Sequence, residues 1–214
     1  MNKSAAIIAI SRHRLTTDGE GITTLVAFHG CPLACRYCIN PQSREASWPF
    51  RHYTTQELYA EVCVDELYFI ATNGGVTFGG GEPALYADFI KDFRRLCGNS
   101  WKLNLETSLN VPQGFVSELL PVVDTLIIDV KDMDEGIYRR YTGKSGSLMK
   151  SNLRLLAAQG RQNDCLIRLP LIARYNTEAD IKRSRSRLEE LGFSRFDIFT
   201  YSVTNPADAK NIHS

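Results

Sequence analysis

The feature that most constrains the fold is a regular alternation of short apolar runs with helical patterns along the 214 residues. The runs are rich in Val, Ile, Leu and Phe and are bounded by turn residues. Such runs are typical of strands that are buried on both faces of a parallel sheet. We predict six strands, at Thr23–Phe28, Gly75–Phe78, Lys102–Glu106, Thr125–Val130, Leu166–Leu169 and Phe196–Thr200.

Helical patterns occupy the intervals between these runs. One opens at Thr54-Thr55-Gln56-Glu57, which has the form of a capping box, and another ends before Gly98, a typical C-terminal stop. Strands that alternate with helices favour an α/β fold with parallel strands. Six strands favour a partial (β/α)6 TIM-like barrel, and an open doubly wound sheet is an alternative that the pattern does not separate. The predicted helices are Thr54–Tyr68, Ala84–Cys97, Gln113–Leu120, Ser147–Ala158 and Glu178–Leu191.

Polar or metal-binding residues follow the predicted strands. In parallel α/β folds the functional groups gather at the C-terminal ends of the strands, so we expect these motifs to converge on one rim and to form the active site of an enzyme. They are the cysteine motif Cys31–Cys38, the glycine motif Gly79–Pro83, and the strand ends Glu106–Ser108, Asp129–Lys131, Arg168 and Tyr201-Ser202.

The cysteine motif places three thiols at spacings of four and three residues, at Cys31, Cys35 and Cys38. Thiolates suit an iron–sulfur cluster or zinc. Zinc prefers four ligands in a closed structural site, and His29 is the nearby residue that could complete such a set. A cubane cluster with three protein ligands would leave one iron open for a substrate.

Composition sets further limits on the function. The formal net charge is +1, and the basic run 182–187 lies beside two glutamates, so nucleic acid is not a predicted partner. The N-terminal apolar stretch Ala5–Ile10 is too short for a signal segment or a membrane span. We expect a cytoplasmic protein of one domain, residues 1–214. The scattered Cys63, Cys97 and Cys165 are predicted to be structural thiols.

At these motifs the sequence resembles the radical SAM superfamily. The loop has the superfamily's CxxxCxxC form, with the aromatic Tyr37 before its last cysteine, and the glycine motif resembles the family's GGE motif. Within the superfamily, the chain resembles the activating enzymes of glycyl-radical enzymes such as pyruvate formate-lyase, from about Asp18 to Tyr201. The matching segments are Asp18–Ile22, Gly75–Phe78, Glu106–Ser108, Asp129–Lys131 and Arg168–Ile172 with Tyr175-Asn176.

The resemblance implies one [4Fe–4S] cluster and S-adenosylmethionine (SAM) as cofactors. The implied iron ligands are Cys31, Cys35 and Cys38, and SAM would chelate the open iron through its amino and carboxylate groups. Reductive cleavage of SAM would yield a 5′-deoxyadenosyl radical. The further cofactor-binding residues that the resemblance implies are Tyr37, Ile39, Gly80, Gly81, Glu82, Thr107, Asp129, Val130 and Lys131, with Cys38 again among them.

Several positions depart from the family pattern. Gly79 stands where a serine is usual, Leu109 where a glycine is usual, and Ser202 where a cofactor-contacting histidine often follows the tyrosine. No role is therefore carried onto Ser202. The insert with extra CxxC pairs that several activating enzymes contain is absent, so we expect no auxiliary cluster.

Three functions compete at this point. The first is installation of a glycyl radical on a partner enzyme, with a flavodoxin- or ferredoxin-type electron donor. The second is radical chemistry on a small molecule, as in carboxy-deazaguanine synthase, although that group is not expected to share the Gly75–Phe78 and Arg168–Ile172 matches. The third is a binding module that holds zinc or a cluster for structure alone.

Overall fold

The computed structural model describes residues 3–15 and 18–201. Within this part of the chain, eight strands form one sheet in the order β3-β1-β2-β4-β5-β6-β7-β8. The strands are β1 Ser4–Leu15, β2 Ile22–Phe28, β3 Arg51–Thr54, β4 Gly75–Gly80, β5 Lys102–Thr107, β6 Thr125–Asp129, β7 Cys165–Leu171 and β8 Phe196–Thr200.

The six predicted strands correspond to β2, β4, β5, β6, β7 and β8, and their bounds differ by at most two residues at each end. All five pairings among them are parallel. The strand order is linear, with β3 and β8 as the two edges, so the sheet does not close. The predicted α/β fold with a partial (β/α)6 barrel is confirmed.

Two strands were missing from the sequence prediction. β1 pairs antiparallel with β2 on one side and with β3 on the other. Both lie outside the parallel part of the sheet, and much of β1 and β3 is exposed. A partly exposed antiparallel strand of this kind lacks the continuous apolar run that identifies a strand buried on both faces.

The helices between the strands are α1 Thr55–Val62, α2 Glu66–Thr72, α3 Ala87–Cys97, α4 Gln113–Leu119, α5 Glu135–Thr142, α6 Ser147–Ala158 and α7 Glu178–Glu189. The predicted capping box is present, since Thr54 caps α1 together with Glu57. None of the described helices combines the length and the apolar character that crossing a membrane requires.

The helix predicted over Thr54–Tyr68 is wrong as one element. A 3-10 turn at Cys63–Asp65 divides it into α1 and α2. The Asp65 carboxylate is fully buried and accepts hydrogen bonds from Arg12 Nε and Thr24 Oγ1. The turn carries this carboxylate inward to strands β1 and β2, which a continuous helix with Asp65 on its outer face would not do.

The core lies between the sheet and the helices that cover it. Aromatic side chains dominate its first half: Phe28 and Phe78 contact edge to face with ring centroids 5.7 Å apart, and Phe93 contacts Phe78 at 5.5 Å. Trp101 stacks on Tyr59 at 5.3 Å. This packing fixes the strands that carry the cysteine and glycine motifs.

Candidate functional site

The cysteine motif forms a loop that begins where β2 ends. Backbone hydrogen bonds attach the loop to α5: Ala34 N donates to Thr142 O at 2.8 Å, and Arg36 N donates to Tyr141 O at 3.1 Å. At the start of the loop, Gly30 N donates to Ser43 O at 2.6 Å. The loop is therefore held to the strand end, to the segment that follows it and to a helix from later in the chain.

Cys31, Cys35 and Cys38 are partly buried in this loop and form no disulfide. Burial raises the pKa of Cys31 to about 12. Burial also raises the pKa of Cys35, to about 11, although the nearby Lys131 opposes it. Thiolates here need added positive charge, which a bound metal supplies. The donor set thus fits an iron–sulfur cluster.

The glycine motif lies directly against the cysteine loop. Gly80 has φ +87°, and a Cβ atom there would lie 2.8 Å from Ala27 Cα. A Cβ atom at Gly81 would lie 2.2 Å from Gly30 O, while the backbone nitrogens of Gly81 and Glu82 donate to Phe28 O and Gly30 O. Only glycine permits this approach, so the motif presents bare backbone beside the loop.

The Glu82 side chain clamps the end of β4 to the end of β5. Its Oε1 accepts from Thr107 Oγ1 at 2.6 Å and from Ala84 N at 3.3 Å. Its Oε2 accepts from Ser108 N at 3.0 Å and Ser108 Oγ at 2.6 Å. These four donors match the acceptor capacity of a carboxylate. Burial raises the pKa of Glu82, and the hydrogen bonds from Ser108 and Thr107 oppose that rise.

At the end of β6, Asp129 and Lys131 form an ion pair with Lys131 Nζ 3.0 Å from Asp129 Oδ2. Burial lowers the pKa of Lys131, but Asp129 and the Cys35 thiol outweigh it and raise that pKa overall. Lys131 is therefore charged and lies next to the cysteine loop. Val130, between them, is fully buried in the core, and its backbone nitrogen donates to Arg168 O at 3.0 Å.

Gly79 and Glu106 occupy adjoining positions on β4 and β5. A Cβ atom at position 79 would lie 2.6 Å from Glu106 Oε2. In this chain the carboxylate therefore uses the room that a side chain at position 79 would need. From there Glu106 Oε1 pairs with Arg168 NH1 at 2.8 Å. Burial raises the pKa of Glu106 to about 7, although Arg168 opposes it.

Three tyrosines pack beside the cysteine loop. The Tyr37 ring lies 5.7 Å from Tyr175 and 6.2 Å from Tyr141, centroid to centroid. Tyr37 was a predicted site residue, whereas Tyr141 belongs to α5, a helix that the sequence prediction omitted. Ile39 is 66% exposed, so the structure leaves this predicted cofactor contact at the surface of the loop.

Sequence reasoning also missed Ser108 as a partner of Glu82, and Tyr138 on α5. The signals for α5 were present: Asp134 caps its first turn, and Gly143 with φ +74° ends it. Buried Ile137, Tyr138 and Tyr141 follow the helical period. Ser202, the altered position after Tyr201, lies outside the described residues.

The zinc alternative depended on His29. Its Nε2 lies 3.1 Å from Glu45 O, and its ring packs on Phe50 at 4.7 Å. Among the described residues, no three His, Cys, Asp or Glu side chains converge on a point that would suit a single metal ion. A cubane cluster makes a different demand, because each thiolate binds its own iron.

The remaining cysteines lie away from this loop. Cys97 and Cys165 are buried and Cys63 is partly buried, as predicted for structural thiols. The basic run of α7 is neutralised locally, since Arg183 pairs with Asp180 and Arg185 pairs with Glu189. These features add nothing to the rim at the strand ends.

Known proteins are similar in sequence to this chain. The family described as the radical SAM superfamily matches residues 25–185. The pyruvate formate-lyase-activating enzyme of Staphylococcus aureus (strain USA300) is 33% identical over 172 residues, which cover 77% of this chain and 68% of that enzyme. The (2S)-3-sulfopropanediol dehydratase activating enzyme of Klebsiella oxytoca is 28% identical over 240 residues, which cover 83% of this chain and 75% of that enzyme.

Solved structures show the same fold. A domain of the pyruvate formate-lyase-activating enzyme from Bacteroides vulgatus aligns with TM-score 0.53 and 27% identity, and covers 65% of this chain and 90% of that one. Streptococcus suis SuiB bound to S-adenosylmethionine aligns with TM-score 0.62 at 16% identity, over 88% of this chain and 47% of SuiB. The second likeness concerns the fold alone.

Proposed function

The chain belongs to the radical SAM superfamily, as a member similar to the activating enzymes of glycyl-radical enzymes, and from this premise we propose that it installs a glycyl radical on a partner enzyme. Like its family, it is an enzyme that uses a [4Fe–4S] cluster and SAM. The observation that carries the proposal is the convergence of a loop of three free thiols with the glycine motif and the Asp129–Lys131 pair. We propose that residues 1–214 form one radical SAM core domain, with the motifs between about 18 and 201.

A bound and reduced cluster would supply the electron for reductive cleavage of SAM to the 5′-deoxyadenosyl radical, which would abstract hydrogen from the substrate. We assign Cys31, Cys35 and Cys38 as the ligands of three irons, which leaves the fourth iron for the amino acid end of SAM. Backbone hydrogen bonds fix this loop to α5 and to Gly81 and Glu82. The thiols are therefore oriented in advance, and the loop loses little conformational entropy when the cluster binds.

The bare backbone at Gly80 and Gly81 is assigned to the ammonium group of SAM, with Glu82 holding this edge in place through Thr107 and Ser108. Asp129 and Lys131 present one negative and one positive group at the end of β6, two strands away from β4 in the sheet. SAM carries ammonium, sulfonium and carboxylate charges, so a rim with both signs of charge is complementary to it.

The partner is assigned to the open side of the barrel. Because the sheet formed by residues 3–15 and 18–201 ends at β8 rather than closing, a loop of another protein could reach the polar strand ends from that side. The small-molecule alternative gains no support from the relatives, whose names describe activating enzymes.

The electron donor is proposed to be an acidic flavodoxin- or ferredoxin-type protein in the cytoplasm. Arg36, Arg44 and Lys144 are exposed around the cysteine loop, and none of them forms an ion pair within the described residues. The positive charge of Arg44 acts on Cys35 and opposes part of the rise in pKa that burial causes. A basic surface beside the cluster would attract an acidic carrier.

The test is anaerobic reconstitution followed by two measurements. The loaded enzyme should contain four irons and four sulfides per chain and should release 5′-deoxyadenosine when reduced with SAM. Mixing it with a candidate glycyl-radical enzyme should give a glycine-centred doublet in the EPR spectrum of that partner. A loaded enzyme that cleaves SAM but gives no doublet with any candidate would contradict the glycyl-radical assignment and leave the cofactor chemistry standing.

A further inference from the structure

Tyr138 holds a buried hydroxyl group without a partner. Its side chain is 0% exposed, and its hydroxyl oxygen forms no hydrogen bond within the described residues. A buried hydroxyl that loses its bonds to water without replacement costs free energy. Such groups in a native structure often mark a place where a missing ligand belongs.

The position of the ring is fixed by its surroundings. Tyr138 lies on α5, whose last turn binds the backbone of the cysteine loop through Thr142 O. A Cβ atom at Gly146 would lie 3.2 Å from Tyr138 Cδ1, so the absence of a side chain there makes room for the ring. The ring is wedged between its helix and the start of α6, and its hydroxyl cannot turn to solvent.

Tyr138 lies close to the proposed cluster site, because backbone hydrogen bonds attach its helix α5 to the cysteine loop. Among the groups whose charges act on Tyr138, Cys35 comes first, followed by Glu82 and Cys31. Burial is the largest influence and raises the pKa of Tyr138 well above its ordinary value, so the group remains a neutral O–H donor. The Glu82 oxygens already accept from Thr107, Ser108 and Ala84. Of Cys35, Glu82 and Cys31, the two cysteine sulfur atoms can therefore still accept a hydrogen bond.

We propose that Tyr138 donates its hydroxyl hydrogen bond to sulfur at the cluster, at the Cys35 thiolate or the sulfide next to it, and thereby sets the reduction potential of the cluster. This inference rests on the proposed function, because it needs the cluster to be present. Hydrogen bonds to cluster sulfurs are one of the means by which a protein tunes the potential. The donated proton stabilises the reduced cluster more than the oxidised one, since reduction adds negative charge to the sulfurs. Tyr138 is thus a positioning residue for electron uptake.

The experiment compares the wild-type enzyme with Tyr138→Phe, which removes the oxygen and keeps the ring. In an EPR-monitored redox titration of the reconstituted enzyme, the midpoint potential of Y138F should be more negative, with a reduction equilibrium about tenfold weaker, or about 59 mV for one electron. Pulsed EPR of the reduced cluster in deuterated water should show an exchangeable proton in the wild type that Y138F lacks.

Stability of the cluster-free chain gives a second, independent readout. Without the cluster the hydroxyl is unsatisfied, so Y138F should unfold at the same temperature as the wild type or higher. With the cluster the order should reverse, because the variant then lacks a hydrogen bond that Tyr138 makes in the wild type. This change of sign is specific to a group whose partner arrives with the cofactor.

Tyr53→Phe is the matched control. Tyr53 is also buried, but its hydroxyl lies 3.5 Å from Arg51 NH1 on β3, away from the cysteine loop. Y53F should lower the unfolding temperature equally with and without the cluster and leave the potential unchanged. An unchanged potential in Y138F, with full cluster content and SAM cleavage, would overturn this inference alone. A wild-type chain that assembles no cluster would instead overturn the proposed function.

Discussion

Two buried carboxylates lie in different regions and are compensated in opposite ways. Asp65 lies at the junction of α1 and α2, beneath β1, and is 0% exposed. Glu82 lies where β4 ends, in the candidate site, and is 1% exposed. Burial of a lone carboxylate is costly in either place. The difference lies in the groups that each region supplies to offset the charge.

Asp65 is surrounded by cationic or potentially cationic groups. Arg12 Nε donates to it at 2.8 Å, His13 Nε2 lies at 3.0 Å, and Thr24 Oγ1 donates at 3.0 Å. The hydrogen bond from Arg12 is the main reason that the pKa of Asp65 is held below its ordinary value. The charge of Asp65 is therefore offset by side chains of the same region, and the resulting ion pair anchors β1 to the helices.

Glu82 receives neutral donors alone. Within the described residues its four hydrogen bonds come from hydroxyl and amide groups, and its pKa is raised by burial. Asp65, the structural carboxylate, is therefore neutralised by charged side chains of the protein itself. Glu82, the site carboxylate, has no cationic partner among the described residues, so positive charge beside it has to come from a bound ligand. In the proposed function, the ammonium group of SAM bound at Gly80 and Gly81 would bring positive charge close to Glu82.

The largest effect is expected from Cys35→Ser, compared with Cys63→Ser. Cys63 opens the same turn that carries Asp65 and donates to Ala60 O, so it belongs to the structural region. The C35S enzyme should bind less iron and release no 5′-deoxyadenosine above background, because a serine hydroxyl is a poor ligand for this iron. Cys63→Ser should retain both. Equal losses of iron and of 5′-deoxyadenosine release in the two variants would contradict the assignment of Cys35 to the site and Cys63 to the structural region.

The second largest effect is expected from Glu82→Gln. Glutamine keeps the size but faces the Thr107 and Ser108 donors with one amide NH₂ group, so the clamp between β4 and β5 is broken on one side. Loss of a hydrogen bond to a charged group costs about 1.5–3 kcal/mol. Because the clamp holds the strand edge to which the SAM ammonium group is assigned, we expect this cost to weaken SAM binding by about 10- to 100-fold. Calorimetry of SAM binding to the reconstituted enzyme measures this. An unchanged affinity would show that the clamp has no role in the cofactor site.

The same two regions differ in how well sequence predicts them. The parallel strands and the motifs at their ends were predictable, because a run buried on both faces and a short motif are both local patterns. β1 and β3 were not, since a partly exposed antiparallel strand is recognised by the strand with which it pairs. The inward turn at Asp65 depends on Arg12, 53 residues away in sequence, and no local pattern marks it.

Within the site, the limit of prediction has the same cause. Cys31, Cys35 and Cys38 lie in one loop and were found together. The fit of Glu106 beside Gly79 depends on the register of β4 against β5, which places these two positions side by side. The orphan hydroxyl of Tyr138 depends on how α5 docks on the cysteine loop. Both arise from contacts between elements that are distant in the sequence.

Asp65→Asn should affect stability and leave the site intact. Arg12 is partly exposed and can be hydrated, so the loss should be moderate, about 2 kcal/mol, or about 4–8 °C in Tm for a chain of this size. Because the folded pKa of Asp65 is lowered, its contribution is present at neutral pH and is lost as the pH falls below the ordinary value of 3.8. The Tm difference between wild type and D65N should therefore shrink in acid.

The control for D65N is its affinity for SAM, which should equal that of the wild type once the protein is folded. A loss of affinity comparable to that of Glu82→Gln would mean that the two carboxylates are coupled, contrary to the comparison. Thermal unfolding of the cluster-free chain at several pH values, together with SAM titration at neutral pH, separates these outcomes.

The smallest effect is expected from an exposed charge, in Arg44→Glu. Arg44 lies beside the cysteine loop at the surface, where charge steers a partner rather than supporting the fold. Reduction of the cluster by flavodoxin should slow by about two- to fivefold at low ionic strength, and the deficit should disappear at high salt. Stopped-flow kinetics measures the rate. Arg185→Glu reverses another exposed charge, on α7, and should leave the rate unchanged. Equal slowing in both variants would place the donor elsewhere.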